Sequence, residues 1–257
     1  MAVSLNGGVA MLGTIWLFKH FGLEFLFRWA HVVVGIMWIG LLWYFNFVQV
    51  PAFAAMDAAA RNDATDKLAS RALWWFRWAA AATFVFGIVL LLLILGDYPK
   101  DSDYFKSGQG MSITAGMLFG ITMFLNVWGV IWVNQKVVIA NARNVQAGGT
   151  ANPDAPAAAR RSALASRQNT VFSFPMIFFM VGAAHFSGSN FDTTSDRWVW
   201  YVVVVVAWAL LELNCLGVIG GTGQNRSNWI YENHKRAIGA SLVLLVVLYI
   251  VFQAVYG

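Results

Sequence analysis

Long apolar runs recur along this 257-residue chain and limit the folds that it can adopt. Only 11% of its residues are charged, whereas about 25% are charged in a typical soluble domain. A run of about 20 apolar residues forms a helix long enough to cross a bilayer. The sequence therefore predicts an all-α integral membrane protein, a bundle of about six transmembrane helices. The predicted spans are residues 25–47, 74–96, 111–133, 171–187, 198–220 and 237–256.

The first 24 residues are distinct from the transmembrane domain predicted for residues 25–257. The apolar run from Val9 to Phe18 is too short to cross a bilayer alone, and no positively charged stretch precedes it as in a signal peptide. We expect residues 1–24 to form a short interfacial helix or a re-entrant segment. The alternative is a seventh span reaching Phe27, which would have to bury two cations, a histidine and a carboxylate.

The positive charges predict how the spans are oriented. Three alternate loops, residues 48–77, 134–170 and 221–236, hold twelve of the seventeen Lys and Arg residues. The positive-inside rule makes these loops cytoplasmic, so both termini are expected on the opposite side, in the periplasm or its equivalent. The basic composition thus reflects topology, and nothing in it indicates nucleic-acid binding.

The long loop between the third and fourth spans has the pattern of a helical hairpin. The segment NQKVVIANARNVQ continues the third span, GGTANPDAPA provides a turn, and AAARRSALASRQN returns to the fourth span. We expect this hairpin to project into the cytoplasm, either as a spacer or as a docking surface for a partner. Pro175 should bend the fourth span, because it removes one backbone donor.

Tryptophans near the predicted span ends are typical of an aromatic belt at the membrane surface. We expect most of them to lie at the headgroups, whereas Trp38 and Trp43 could line a cofactor. The tryptophans near span ends are Trp29, Trp74, Trp75, Trp78, Trp198 and Trp200.

Two histidines lie within apolar runs, and the predicted topology brings both near the periplasmic face. His31 lies about seven residues, or roughly 10 Å, into the first span, and His185 ends the fourth. An imidazole in hydrocarbon needs a hydrogen bond, a metal or water. Two facing imidazoles can coordinate the iron of a b-type haem, and Gly35, one turn below His31, would leave room for the macrocycle.

Three interpretations of this histidine pair remain open: a shared haem or metal site, a structural hydrogen bond for each histidine, and a water-lined substrate pocket. His20 could add a third ligand, although a surface position is the alternative. The single cysteine, Cys215, excludes a disulfide within the chain and a covalent c-type haem.

Glu212 is the carboxylate that lies deepest in a predicted span. A buried carboxylate can serve in a proton relay or a quinone site, so Glu212 is a candidate proton-coupled residue. Alternatively, Glu212 pairs with Arg77 or accepts a hydrogen bond from a neighbouring asparagine.

Three segments resemble the membrane domain of the bacterial cytochrome c-linked urate oxidases. They are LEFLFRWAHVVVGIMWIGLLWYFNF at 23–47, FLNVWGVIWVNQKVVIANAR at 124–143 and RQNTVFSFPMIFFMVGAAHF at 167–186. The positions that match the family's motifs are His31, Trp38, Asn134, Gln135, Lys136, Pro175 and His185. The chain departs from the family in FSFP and GAAH, and in lacking the fused C-terminal cytochrome c domain.

The resemblance implies an inner-membrane domain that oxidises urate and passes electrons to a cytochrome c domain. Combined with the histidine pair, it predicts a redox protein that binds haem b through His31 and His185, with Gly35 and Trp38 beside the cofactor. Electrons would then pass to a separate periplasmic cytochrome c or to quinone. The alternatives are a non-catalytic membrane subunit of a larger respiratory, photosynthetic or oxygenase complex, and a transporter for a purine or another small molecule.

Overall fold

Helices account for all the regular secondary structure in residues 20–97, 104–186 and 197–256, which the computed structural model describes. This confirms the predicted all-α fold class. The α-helices are α1 (His20–Trp43), α2 (Val50–Ala55), α3 (Ala58–Ala64), α4 (Ser70–Asp97), α5 (Gly108–Leu125), α6 (Trp132–Gln146), α7 (Ala155–Gly182), α8 (Arg197–Cys215) and α9 (His234–Tyr256). Tyr44–Gln49, Thr65–Ala69 and Asn126–Ile131 are π-helical, and Tyr104–Lys106 and Trp229–Tyr231 are 3-10 turns.

Five helices in the described residues are long and apolar enough to cross a membrane. In the first three of them a π-helical stretch joins shorter helices into one continuous helix. These five are Phe21–Ala55, Ala58–Gly96, Gly108–Gln146, Arg197–Cys215 and His234–Val255. They correspond to predicted spans one, two, three, five and six. The first of the five helices begins at Phe21 and so includes the end of the segment that was predicted to be interfacial. The rest of that segment, residues 1–19, lies outside the described residues.

The predicted fourth span corresponds to α7, which begins at Ala155, well before residue 171, and is not among the five apolar helices. It packs against α5, α6 and α9, and makes smaller contacts with α1 and α8. Its polar residues face these neighbours, since Gln168, Asn169, Thr170 and Ser173 are all fully buried. The polar face in the middle of α7 is therefore covered by neighbouring helices and is not in contact with lipid. The helix is unbroken through Pro175.

The outward faces of the other long helices carry large apolar side chains. Val32 and Ile36 on α1, Leu92 on α4, and Val243 and Ile250 on α9 are each half-exposed or more. In water such surfaces would be unfavourable, whereas lipid tails solvate them as well as a protein core does. These faces support the membrane assignment.

Helices α6 and α7 form the expected hairpin, with its turn at residues 147–154. Gly148 makes this turn with φ of +81°, a conformation that favours glycine. Arg143 near the end of α6 pairs with Asp66, and Arg160 near the start of α7 pairs with Glu232. The three cation-rich loops therefore meet at one end of the bundle, which we call the basic end.

Candidate functional site

His31 lies in the contact between α1 and α4. Its Nδ1 is 2.9 Å from the backbone oxygen of Thr83, and the ring is partly buried. A carbonyl oxygen can only accept, so Nδ1 carries the proton and, in the neutral ring, Nε2 has a free lone pair. A metal-ligating histidine usually has its other nitrogen held in this way. The contact also satisfies the structural interpretation of His31, so the geometry is compatible with both.

Two glycines shape the surroundings of His31. A Cβ on Gly87 would lie 3.0 Å from Cε1 of the histidine ring, so this glycine makes room for the imidazole. A Cβ on Gly35 would meet Thr83 at 3.8 Å, which is an ordinary packing distance. The space beside Gly35 is thus occupied by α4, and Gly87, which sequence reasoning missed, is the glycine that accommodates the ring.

His185 lies in the turn that follows α7, and its side chain is exposed. The backbone N–H of His185 donates to the carbonyl oxygen of Gly182 at 2.8 Å, which fixes the turn. His20 opens α1, but its side chain lies outside what the structure describes. Accessible imidazole at residue 185 and partly buried imidazole at residue 31 are both chemically suited to bind iron.

Within the described parts of the chain, no group of three or more His, Cys, Asp or Glu side chains could hold a metal ion. A haem needs only two axial histidines, so this search does not test the pairing of His31 with His185, which stays a prediction. The contact of His31 Nδ1 with the Thr83 oxygen leaves Nε2 for iron, and this is the observation that fits a haem ligand.

Trp38 is buried, and it belongs to the hydrophobic core. Its Nε1 has no hydrogen-bond partner in the structure. A buried indole N–H usually finds an acceptor, so the donor of Trp38 is unused in the packing of the described residues.

Glu212 lies within a buried polar network between α5, α7 and α8. The Asn126 side-chain amide donates to Oε2 of Glu212 at 3.3 Å and to Oδ1 of Asn169 at 3.0 Å. Asn169 in turn donates to the backbone oxygen of Met123 at 3.0 Å. Of the two structural partners expected for Glu212, the structure shows the asparagine. Arg77 instead stacks on Trp132, with its guanidinium carbon 3.3 Å from the ring centroid.

Other polar contacts connect α7 to its neighbours. Trp43 donates from Nε1 to Ser173 Oγ at 3.0 Å, so this residue hydrogen-bonds to α7. Tyr231 donates toward Gln168 Oε1 at 2.6 Å and is close to the backbone oxygen of Leu211 at 3.0 Å. Burial raises the pKa of Tyr231, so its hydroxyl stays protonated and available as a donor.

The NQK segment of α6 contacts the first half of α7. Asn134 accepts a hydrogen bond from Arg161 at 3.0 Å, and Gln135 donates to Ser162 at 2.7 Å. Lys136 is exposed and lies 5.9 Å from the Trp132 ring centroid. The first two residues therefore hold the hairpin together, and only Lys136 is free to meet a ligand at the surface.

Comparison with known proteins identifies one matching family. A sequence profile described as urate oxidase N-terminal matches residues 100–216, a little under half of the chain. The matched stretch contains His185, Glu212 and the NQK segment, whereas His31 lies before it. No curated protein and no solved structure matches the chain. Residues 100–216 are therefore similar to the N-terminal region of urate oxidases, within a bundle of membrane-length helices.

Proposed function

We propose that this chain is a redox protein of the bacterial inner membrane, related to the membrane urate oxidases. It binds haem b through His31 and His185 near the periplasmic face and passes electrons to a separate periplasmic cytochrome c or to quinone. The observation that carries the proposal is the match of residues 100–216 to the urate oxidase N-terminal family in a chain with five membrane-length helices.

The residues around His31 support its role as an iron ligand. Thr83 accepts the Nδ1 proton and so leaves the Nε2 lone pair for iron. His185 supplies a second imidazole from the accessible turn after α7. Haem b bound there would supply one-electron redox chemistry.

The clustering of cations supports the proposed orientation. The basic end carries the loops around Asp66, Arg143 and Arg160, and the positive-inside rule favours the cytoplasm for this end. The opposite end, where α7 delivers His185, then faces the periplasm. A periplasmic cytochrome could reach that end of the bundle.

Optical spectra of the purified protein test the haem proposal. We expect wild type, oxidised and then reduced, to show the Soret and α bands of a b-type haem. Since each histidine is proposed to supply one axial ligand, His31→Ala and His185→Ala should each abolish or strongly shift these bands.

A third histidine provides the control for these spectra. His234 begins α9 at the basic end, where its ring lies 6.1 Å from that of Phe47. His234→Ala should leave the spectrum unchanged. A wild-type protein with neither bound haem nor metal would contradict the proposal, as would a spectrum that survives in folded protein of both ligand variants.

Glu212→Gln tests the proposed proton-coupled role of this carboxyl group. Reduction of a quinone to a quinol consumes two electrons, which two reduced molecules of the protein would supply one each, and two protons. The proposal assigns delivery of a proton to Glu212. Glutamine can still accept the Asn126 hydrogen bond, but it cannot donate a proton at neutral pH. We expect oxidation of the reduced protein by a soluble quinone to slow about tenfold or more, a modest value for loss of an acid–base group.

The same change at a partly exposed, ion-paired carboxylate is the matched control. Glu24 pairs with Arg28 on α1, so Glu24→Gln should leave the quinone rate unchanged. Equal rates in wild type and folded Glu212→Gln would remove Glu212 from the proton path.

A further inference from the structure

A second site lies between α4 and α6 at the basic end. Four cationic side chains and two tryptophans line a cavity of about 420 Å³, which we call the basic pocket. These six residues are Arg71, Trp74, Arg77, Trp132, Lys136 and Arg143. No carboxylate lines the cavity among the residues that the structure describes. Asp66, which lies outside the cavity, pairs with Arg143. The other three cations leave the pocket with a strong positive charge.

Arg77 is the most informative residue of the basic pocket, because it is only 8% exposed. Its guanidinium lies over the Trp132 ring at 3.3 Å and 5.7 Å from the Trp128 ring centroid. Its Nε and Nη1 atoms have no hydrogen-bond partner in the structure. A buried cation with unused donors is costly, and an anionic acceptor in the pocket would remove that cost.

The position of the basic pocket indicates where this anion comes from. Trp74 lines the pocket and is about half-exposed, as are its neighbours Trp75 and Trp78. Exposed tryptophans at the start of an apolar helix lie at the headgroup level of a bilayer. Trp78 also meets Trp128 edge to face at 5.6 Å, which continues an apolar surface from the pocket along the bundle.

We propose that the basic pocket binds the headgroup phosphate of an anionic membrane lipid. Arginine forks match the several acceptor oxygens of a phosphate, and Arg77 has such donors unused. Arg71 and Lys136, both exposed, add charge at the entrance. A basic recess between membrane helices on the cytoplasmic side is suited to anionic headgroups, and the exposed tryptophans can pack against the acyl chains.

Native mass spectrometry of the full chain, delipidated in detergent, tests this site. The probes are phosphatidylglycerol and phosphatidylcholine with identical acyl chains, so that only the headgroup charge differs. We expect wild type to bind one phosphatidylglycerol at least tenfold more tightly than phosphatidylcholine. Arg77→Gln should reduce that preference at least tenfold, because it removes the buried cation.

Two further variants keep the test decisive. Arg236 stacks on Trp229 at 4.8 Å outside the pocket, so Arg236→Gln removes the same charge and should retain the preference. Lys136→Gln changes an exposed side chain and should weaken phosphatidylglycerol binding even if Arg77→Gln fails to fold.

Three results would overturn the proposal. They are equal binding of the two lipids by wild type, an unchanged preference in both pocket variants, and an equal loss of preference in Arg236→Gln. Inorganic phosphate and urate are tested alone at millimolar concentration. Wild type could bind phosphate or urate saturably, lose that binding in Arg77→Gln and Lys136→Gln, and bind the two lipids equally. That combination would show a site for a soluble anion instead.

Discussion

Trp200→Ala should lower the free energy of unfolding by about 3–5 kcal/mol, the range for truncation of a large buried aromatic residue. Trp200 is fully buried, and its Nε1 donates to the backbone oxygen of Met111 at 3.2 Å. Its ring lies 5.2 Å from the rings of both Phe179 and Phe252. The substitution leaves a cavity where α5, α7, α8 and α9 meet. Unfolding in detergent with increasing dodecyl sulfate measures the effect.

Trp200→Phe separates the contribution of packing from that of the hydrogen bond. Phenylalanine keeps an aromatic ring in the site and loses the donor to Met111, so we expect a cost of about 1–2 kcal/mol. An alanine variant as stable as wild type would show that this cluster does not stabilise the bundle. Equal losses in both variants would assign the effect to the hydrogen bond.

Asn169→Leu should lower the free energy of unfolding by about 1–2 kcal/mol. An interhelical hydrogen bond in a membrane protein contributes about 0.6 kcal/mol on average and up to about 1.7 kcal/mol, and this substitution removes two of them. Leucine nearly preserves the shape of asparagine, yet it removes one acceptor of the Asn126 amide and one donor to the Met123 oxygen. The Asn126 amide keeps Glu212 as its acceptor, and the Met123 oxygen keeps the backbone N–H of Asn126, so the expected loss is that of the two bonds alone.

The neighbouring residue provides the control for Asn169→Leu. Thr170 is also fully buried on α7, but its hydroxyl donates within its own helix, to Ser166 at 3.2 Å. Thr170→Val should therefore cost less than about 1 kcal/mol. The same unfolding titration compares the two variants, and equal stabilities would contradict the importance of the interhelical network.

Helix ends were predictable only in part. The last span, predicted for residues 237–256, is α9, His234–Tyr256, because an uninterrupted apolar run specifies a helix. The fifth was expected to reach residue 220, yet α8 ends at Cys215. Gly217 and Gly220 follow with φ near +80°, a conformation that ends a helix and that glycine adopts readily.

The site was less predictable than the fold, because its contacts join distant helices. Trp200 lies near a span end like the belt tryptophans, but the packing of α8 against its neighbours turns it into the core. Glu212 could have met Arg77 or an asparagine, and the bundle brings Asn126 to it. Apolar patterns do not specify which of several polar groups will become neighbours.

The sequence by itself determined that this chain is a helical bundle with membrane-length spans, since lipid requires every backbone group to be satisfied within a helix. It also identified His31, His185 and Glu212 as candidate functional residues. Only the tertiary structure decided the partners of the polar side chains: Thr83 for His31, Asn126 for Glu212 and Trp132 for Arg77. The physical reason is that each partner lies on another helix, and packing alone sets the rotation of one helix against the next.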